Sequence, residues 1–206
     1  LAARRGNIYA NSYAMPVLLA SSRQAPSLFA DPMIIRDEEL HSVSADVAEV
    51  LGMAPGEVYE KLTRRRDARF VWLARELDDA TAEYLTGQKI PGVRVVHEWR
   101  RFYPNGLLAS HIVGFVGGDD GKGLEGIELY ADRHLQAVDG RKVVLGDAAR
   151  RPIWNAPDSY NPPRDGRHVQ LTLDVVVQNH LEEALGQVAN KHSAESAIGI
   201  VVDDAI

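Results

Sequence analysis

The sequence predicts an α+β fold that includes a small lobe of helices and strands. Two patterns support this class: apolar residues recur at helical spacing between residues 37 and 87, and alternating apolar and polar residues mark strands before, within and after that stretch. The length of 206 residues suffices for one large or two small domains with a core that needs no disulfides.

The N-terminal part, residues 1–36, is predicted to form short strands and turns, because apolar runs alternate there with Gly, Pro, Ser and Asn. At Asp37 the pattern becomes helical, since an aspartate can accept hydrogen bonds from first-turn amides, and Gly52 supplies the stop. A second short helix is predicted at 55–62, with Pro55 in its first turn, where no N–H is needed.

Two strands and a helix are predicted to complete the lobe. The strands are expected at 70–73 and 93–99, where β-branched and aromatic residues are enriched, and the helix at 78–87 between them. Residues 37–103 are therefore predicted to form one small α+β lobe.

The region after the lobe is richer in Gly and Pro. A helix is predicted at 124–138 and a strand at 143–145. Residues 155–166 are rich in proline and have no periodicity, so they are predicted to be a linker. The domain boundary is placed at its end, which gives domains at 1–165 and 166–206.

The C-terminal segment is predicted to begin a second domain. Residues 168–173 alternate as in a strand, Asp174 is suited to cap the helix that follows, and 197–202 are predicted to form a further strand. Because a strand, a helix and a strand need more sheet to pack against, residues 166–206 are expected to be a truncated domain.

Composition excludes several kinds of partner and site. The net charge is −6 at pH 7 and both signs are spread along the chain, so no nucleic-acid partner is predicted. Without cysteine there is no disulfide, thiol nucleophile or thiolate metal site. No apolar stretch reaches the roughly 20 residues of a membrane helix, and no targeting signal is recognised at the N-terminus.

No catalytic residue, metal ligand or organic cofactor is predicted. The Ser-x-x-Lys pattern that would place an amine beside a nucleophilic hydroxyl does not occur, and no two histidines have the spacing of a zinc site. Arg64-Arg65-Arg66 is interpreted as a solvated surface. Glu125 and Glu128 could serve as paired carboxylates, but a structural ion pair is the preferred interpretation.

Several short segments nevertheless resemble one family in order and spacing. In chain order these are Arg5-Gly6-Asn7-Ile8-Tyr9, the stretch from Pro26 to Pro32, Arg101-Phe102-Tyr103-Pro104-Asn105-Gly106, the stretch from His111 to Gly117, Gly123-Leu124-Glu125-Gly126-Ile127-Glu128, and Leu171-Thr172-Leu173-Asp174 with Gln178. Taken together, they resemble the class B penicillin-binding proteins over nearly the whole chain. The resemblance implies an elongated N-terminal pedestal with a small α+β head lobe, followed by the first strand, helix and strand of a transpeptidase domain.

The resemblance implies a set of structural residues. Arg5 and Glu128 would belong to the charged contacts that tie the N-terminal strands to the pedestal beneath a transpeptidase domain, because an arginine fork and a carboxylate form a directional pair. The remaining motif residues with an expected structural or interdomain role are Gly6, Arg101, Tyr103, Pro104, Gly106 and Gly126.

The chain also departs from the family pattern. Tyr9 continues directly into Ala10-Asn11-Ser12, where the family has a turn, so several residues are expected to be missing at this point. The family's catalytic serine would follow beyond Ile206, so any activity is expected to reside in sequence outside this chain.

The resemblance implies a non-catalytic portion of an enzyme that cross-links peptidoglycan through an acyl-serine intermediate, without metal or organic cofactor. This portion would be a scaffold outside the bacterial cytoplasmic membrane, carried by a single-pass anchor. Its expected partners are membrane proteins of the division or elongation machinery, including a polytopic glycosyltransferase, and a second copy of the chain. The alternatives are a stand-alone periplasmic scaffolding module and an unrelated hydrolase that uses Glu125 or Glu128.

Overall fold

The computed structural model describes residues 2–13, 15–118, 120–143 and 159–202. The chain divides into two compact units. The terminal unit combines Leu1–Ser22 with Arg101–Ile206, and the central unit is Arg23–Arg100. This grouping of contacts does not test the domain boundary at 165 or the lobe limits 37–103, which therefore stay predictions.

Strands and helices are mixed along the chain, which confirms the α+β class. A 3₁₀ turn at Asp37–Glu39 precedes the first α-helix. Within the described residues the elements are β1 (Ile8–Ser12), β2 (Met15–Ala30), α1 (Leu40–Leu51), α2 (Pro55–Arg64), β3 (Val71–Ala74), α3 (Asp79–Gln88), β4 (Val93–Phe102), α4 (Ser110–Val113), α5 (Gly126–Tyr130), α6 (Asp132–Leu135), β5 (Arg141–Val143), β6 (Ser159–Asn161), β7 (Val169–Asp174) and α7 (Val175–His192).

The main sheet has the order β3-β2-β1-β7, and β4 also pairs with β2. β1 is antiparallel to β2 and parallel to β7, and β3 is antiparallel to β2. The prediction of short strands and turns over residues 1–36 is wrong for β2, which is one strand of 16 residues. Its first part pairs with β1 and its last residues with β3, so the polar residues between them stay extended.

The β1–β2 hairpin includes Tyr9 and Ala10, between which residues were expected to be missing; its pairing does not test that expectation, and its register shifts between Ile8 and Tyr9. Tyr9 lies opposite Leu18 and Ala10 opposite Val17, and the pairing continues to Ser12 opposite Met15. The ladder therefore passes through Tyr9 and Ala10 without interruption.

The central unit packs α1, α2 and α3 on the strands. Their buried residues form one apolar cluster, which comprises Leu28, Ala30, Ile35, Leu40, Val43, Val47, Ala48, Val58, Leu62, Leu73, Leu85 and Ile90. Gly52 ends α1 at φ 64°, as its position predicted. Asp78 caps α3 by accepting a hydrogen bond from the Thr81 amide at 2.9 Å. Asp37 does not cap α1, because its carboxylate instead accepts from Arg66.

The terminal unit has a second apolar cluster, which comprises Ile8, Ala10, Leu19, Ala20, Ala109, Val113, Ala131 and Leu135. The single helix predicted at 124–138 is wrong, because α5 and α6 are two short helices separated at Ala131. Gly126 has φ 58°, which prevents a helix from continuing across it. Residues after α6 are extended, and Val138 pairs with Arg164 in an isolated bridge.

The predicted linker contains a strand, because Ser159–Asn161 pairs with Arg141–Val143 as a two-stranded sheet. Residues 144–145 and 155–158, for which a strand and a linker were predicted, lie outside the described residues. The strand and the capped helix predicted after the linker are confirmed as β7 and α7, and Asp174 accepts from the Val176 amide at 2.8 Å.

Residues 197–202 are not a strand, contrary to the prediction. A strand needs a ladder partner, and no described strand pairs with them. Their aliphatic side chains, including Ile198 and Ile200, are exposed.

Among the described residues, no helix has both the length and the hydropathy needed to span a membrane.

Candidate functional site

A buried network of charged side chains lies within the terminal unit. Its centre is Glu128 on α5, whose side chain is fully buried. Arg5 reaches it from the segment just before β1, and Arg101 reaches it from the end of β4. Residues far apart in sequence therefore meet at one carboxylate.

Both oxygens of the Glu128 carboxylate accept hydrogen bonds from arginine. Arg5 Nε donates to Oε2 at 2.8 Å, and Arg101 Nε donates to Oε1 at 2.6 Å. The Tyr103 hydroxyl donates to Oε1 over a longer distance of 3.3 Å. The carboxylate is thus enclosed by two cations and a phenol.

Arg5 makes further contacts with the same region. Its Nη2 donates to the Glu128 carbonyl at 2.9 Å, and its Nη1 donates to Asp132 Oδ1 at 2.7 Å and to the Gly121 carbonyl at 3.3 Å. Asp132 Oδ1 also accepts from the Gly123 amide at 2.9 Å. One guanidinium therefore joins α5, α6 and the turn before them.

Arg101 ties the network back to the N-terminal segment. Its Nη1 donates to the Gly6 carbonyl at 2.7 Å, and only 3% of its side chain is exposed. Its Nη2 is buried and has no hydrogen-bond partner among the described residues. Arg101 thus contacts both α5 and the residue that follows Arg5.

The charges of the network balance, because two arginines face two carboxylates. Removing ions from water costs several kcal/mol each, and mutual attraction repays this cost only when the geometry is good and the remaining groups are hydrogen-bonded. A buried pair of this kind contributes more to fixing orientation than to net stability. The network therefore sets the position of the N-terminal segment relative to α5.

Gly6 and Gly126 allow the backbone to approach closely around the network. A Cβ on Gly6 would lie 1.9 Å from the Arg167 carbonyl oxygen. The Gly6 amide donates to the Leu135 carbonyl at 2.8 Å. Gly126 has φ 58°, and a Cβ there would lie 2.5 Å from the Ile112 carbonyl oxygen. Any larger residue at either position would collide with backbone.

Pro104 and Gly106 make no contact with the charged side chains around Glu128 among the described hydrogen bonds, and the Gly106 amide donates to the Tyr103 carbonyl at 3.2 Å. Both are exposed in the turn that follows β4. Gly106 has φ 59° and open space around its Cα, so glycine is favoured there by backbone conformation alone. Of the predicted residues, the structure brings together Arg5, Gly6, Arg101, Tyr103 and Glu128 and leaves Pro104 and Gly106 in the turn.

Asp132 is a member of the network that the sequence reasoning missed. It lies four residues after Glu128, a spacing that places two side chains on the same side of a helical segment. This spacing was the available signal, but a continuous helix was predicted there and no partner was assigned to Asp132.

The network raises the pKa of Tyr103 to about 12. Burial is the main cause, and the adjacent Glu128 carboxylate adds to it, because both disfavour the phenolate. Tyr103 is therefore a neutral hydrogen-bond donor at physiological pH.

The arrangement offers no reactive group. Both Glu128 oxygens are bound by cations, and Glu125, the suggested second carboxylate, is exposed to solvent. In the described part of the chain, no group of three or more His, Asp or Glu side chains could hold a metal ion. What the geometry can do is hold backbone segments in a fixed arrangement.

Comparison with known proteins assigns the chain to a family. The sequence profile of the penicillin-binding protein dimerisation domain matches residues 1–171. This match confirms the resemblance carried by the motifs.

Two curated relatives illustrate the extent of the match. The probable peptidoglycan D,D-transpeptidase PenA of Neisseria gonorrhoeae is 30% identical over 204 residues, which cover 98% of this chain and 34% of that protein. Stage V sporulation protein D of Bacillus subtilis is 29% identical over 188 residues, which cover 91% of this chain and 29% of that protein. The chain spans about a third of the length of the curated relatives it matches.

A solved structure shows the same fold. The complex between penicillin-binding protein PBP2 and MreC from Helicobacter pylori matches with a TM-score of 0.74 and 21% identity. The match covers 91% of this chain and 38% of the solved chain.

Replacing Glu128 should destabilise the terminal unit strongly. Glu128→Gln leaves Arg101 buried without a counter-charge and leaves Arg5 with Asp132 alone, and breaking a buried pair costs about 3–5 kcal/mol. The opening free energy measured by hydrogen exchange at the Ile8 amide should fall by that amount. The exposed Glu125→Gln is the matched control and should change it little. Equal effects of the two substitutions would show that the network does not hold β1.

Gly6→Ala and Gly56→Ala should have opposite effects. At Gly6 the new methyl group meets backbone at 1.9 Å, and overpacking of this kind costs about 1–3 kcal/mol or more. At Gly56, inside α2, nothing lies within 4 Å, so alanine should stabilise by about 0.5–1 kcal/mol. Thermal unfolding followed by calorimetry measures both changes. A neutral Gly6→Ala would contradict the close approach.

The raised pKa of Tyr103 predicts a loss of stability at alkaline pH. The pKa of Tyr103 is about 12 in the folded protein and about 10 in the unfolded chain. The stability that this difference contributes is fully present below pH 10 and is lost as the pH rises towards 12. Wild-type protein should therefore lose more stability between pH 10 and 12 than Tyr103→Phe. Tyrosinate absorbance should show a component titrating near pH 12 that this variant lacks. Identical titrations would refute the assignment.

Proposed function

Because the chain belongs to the family of the penicillin-binding protein dimerisation domain, we propose that it is the non-catalytic scaffold of a peptidoglycan D,D-transpeptidase. The observation that carries the proposal is the Glu128 network. It joins the N-terminal segment at Arg5 to the end of β4 at Arg101, and both lie inside the matched range.

The scaffold acts by position and takes no part in the chemistry. An element that supports a catalytic domain must hold the entering chain in one orientation, and directional arginine–carboxylate pairs do this better than apolar contact. Acylation of a serine, the step that β-lactams mimic, would occur in sequence outside this chain. The described residues would supply orientation alone.

The proposed domains are a pedestal at 1–165, with its head lobe at about 37–103, and the beginning of the transpeptidase domain at 166–206. Two observations support this division. The curated relatives are about three times as long as this chain. Residues 197–202 also expose aliphatic side chains of the kind that a larger sheet would cover.

We propose that the partners are membrane proteins of the division or elongation machinery, including a polytopic glycosyltransferase. The solved relative from Helicobacter pylori is a complex with MreC, which supports protein binding as a property of this fold. The name of the family's domain supports a second copy of the chain as a further partner. The proposed location is outside the cytoplasmic membrane, behind a single-pass anchor.

Labelling of the natural gene product with a fluorescent penicillin tests the proposal. The protein is isolated from its own cells, its intact mass is measured, and it is incubated with the label. A mass well above 22.7 kDa together with a covalently labelled band is the expected result. Pre-treatment with unlabelled penicillin is the control and should abolish the signal.

The opposite outcome would support a different function. A product with the mass of the printed chain and no labelling would overturn the transpeptidase proposal. The stand-alone periplasmic scaffolding module would then be the remaining interpretation, and its function would have to be sought among its binding partners.

A further inference from the structure

Ala109 has a buried backbone amide that makes no hydrogen bond to the backbone of the turn around it. The residue is fully buried and has φ 53°, at the end of the turn that begins with Tyr103. Its carbonyl accepts from the Ile112 and Val113 amides as α4 begins, whereas its own N–H points away from that helix. A buried N–H without an acceptor loses the hydrogen bond that it makes with water in the unfolded chain, and this destabilises the fold.

The acceptor is a side chain of α7. The Ala109 N–H donates to Glu182 Oε1 at 2.9 Å. The same oxygen accepts from Gln178 Nε2 at 2.7 Å, and Gln178 is the buried residue of α7. A hydrogen bond from an amide to a carboxylate is charge-assisted and about twice as strong as a neutral one.

α7 is also held at its beginning. Asp174 caps its first turn, and Val175 packs against the apolar cluster of the terminal unit. Glu182 lies two turns further along, about 12 Å from Asp174 at the helical rise of 1.5 Å per residue. Two separated attachment points fix the direction of a helix axis, whereas one point allows it to pivot.

We propose that Glu182 is a positioning residue that fixes the direction of α7 by holding the Ala109 amide. The turn at Tyr103 to Ala109 begins at the charged network, so the same unit that orients the N-terminal segment also orients α7. This inference rests on the proposed function in one respect, because α7 would lead into the catalytic domain.

Hydrogen exchange at the Ala109 amide tests the contact directly. Glu182→Ala and Glu182→Asp should accelerate exchange at least about tenfold, because alanine has no acceptor and aspartate is too short to reach. Glu182→Gln should keep most of the protection, since its amide oxygen can accept the same bond. Glu183→Ala, an exposed glutamate next in sequence, is the matched control and should have no effect.

Spin-label distances test the orientation of α7. The chain has no cysteine, so Val188→Cys and Leu107→Cys create a unique pair of labels at exposed positions of the terminal unit. Glu182→Ala should broaden the distribution of distances between the two labels. Glu182→Gln should keep this distribution as narrow as it is with Glu182 present.

Two outcomes would overturn the inference. Unchanged exchange at Ala109 in Glu182→Ala would show that the carboxylate does not protect this amide. A narrow distance distribution in the same variant would show that it does not orient α7. Neither measurement uses penicillin binding, so failure here is distinguishable from failure of the transpeptidase proposal.

Discussion

The carboxylate of Glu128 imposes the constraint on which the terminal unit depends. A fully buried anion must be matched by cations at hydrogen-bonding distance, and the matching groups here come from residues 123 and 27 positions away. Arg5 reaches it from a segment whose Gly6 amide donates to the Leu135 carbonyl of α6 and whose Gly6 Cα lies so close to the backbone of residues 166–167 that only glycine fits. The β1–β2 hairpin therefore begins from a segment whose position is fixed by Arg5 and Gly6.

The same constraint explains why the helical region around Glu128 is broken. Asp132 is the first residue of α6, and its carboxylate accepts hydrogen bonds from Arg5 and from the Gly123 amide. A regular helix through residues 124–138 would carry Gly126 at φ near −60° instead of 58°. Local helix propensity yields because a buried charge left without its partner costs about 3–5 kcal/mol, which exceeds propensity differences of under about 1 kcal/mol per residue.

Sequence reasoning predicted best where the signal is local. The helices of the central unit and the stop at Gly52 depend on residues within one or two turns, and the structure has them within a few residues of the predicted places, although the predicted cap at Asp37 is not formed. The length of β2 depends on two partner strands that are distant in sequence, so no local pattern could reveal it. The Arg5–Glu128 pair was likewise expected from a family resemblance, because no spacing rule links residues so far apart.

Glu128 and Glu182 solve the same physical problem in two places. Each is a carboxylate on a helix that accepts hydrogen bonds from a distant part of the terminal unit, and each therefore fixes a helix at a point that apolar packing alone would leave free to slide. Groups bound in this way cannot also bind substrate, because both oxygens of Glu128 and the backbone around it are already engaged. A unit built from such contacts is suited to hold its own segments in a fixed orientation.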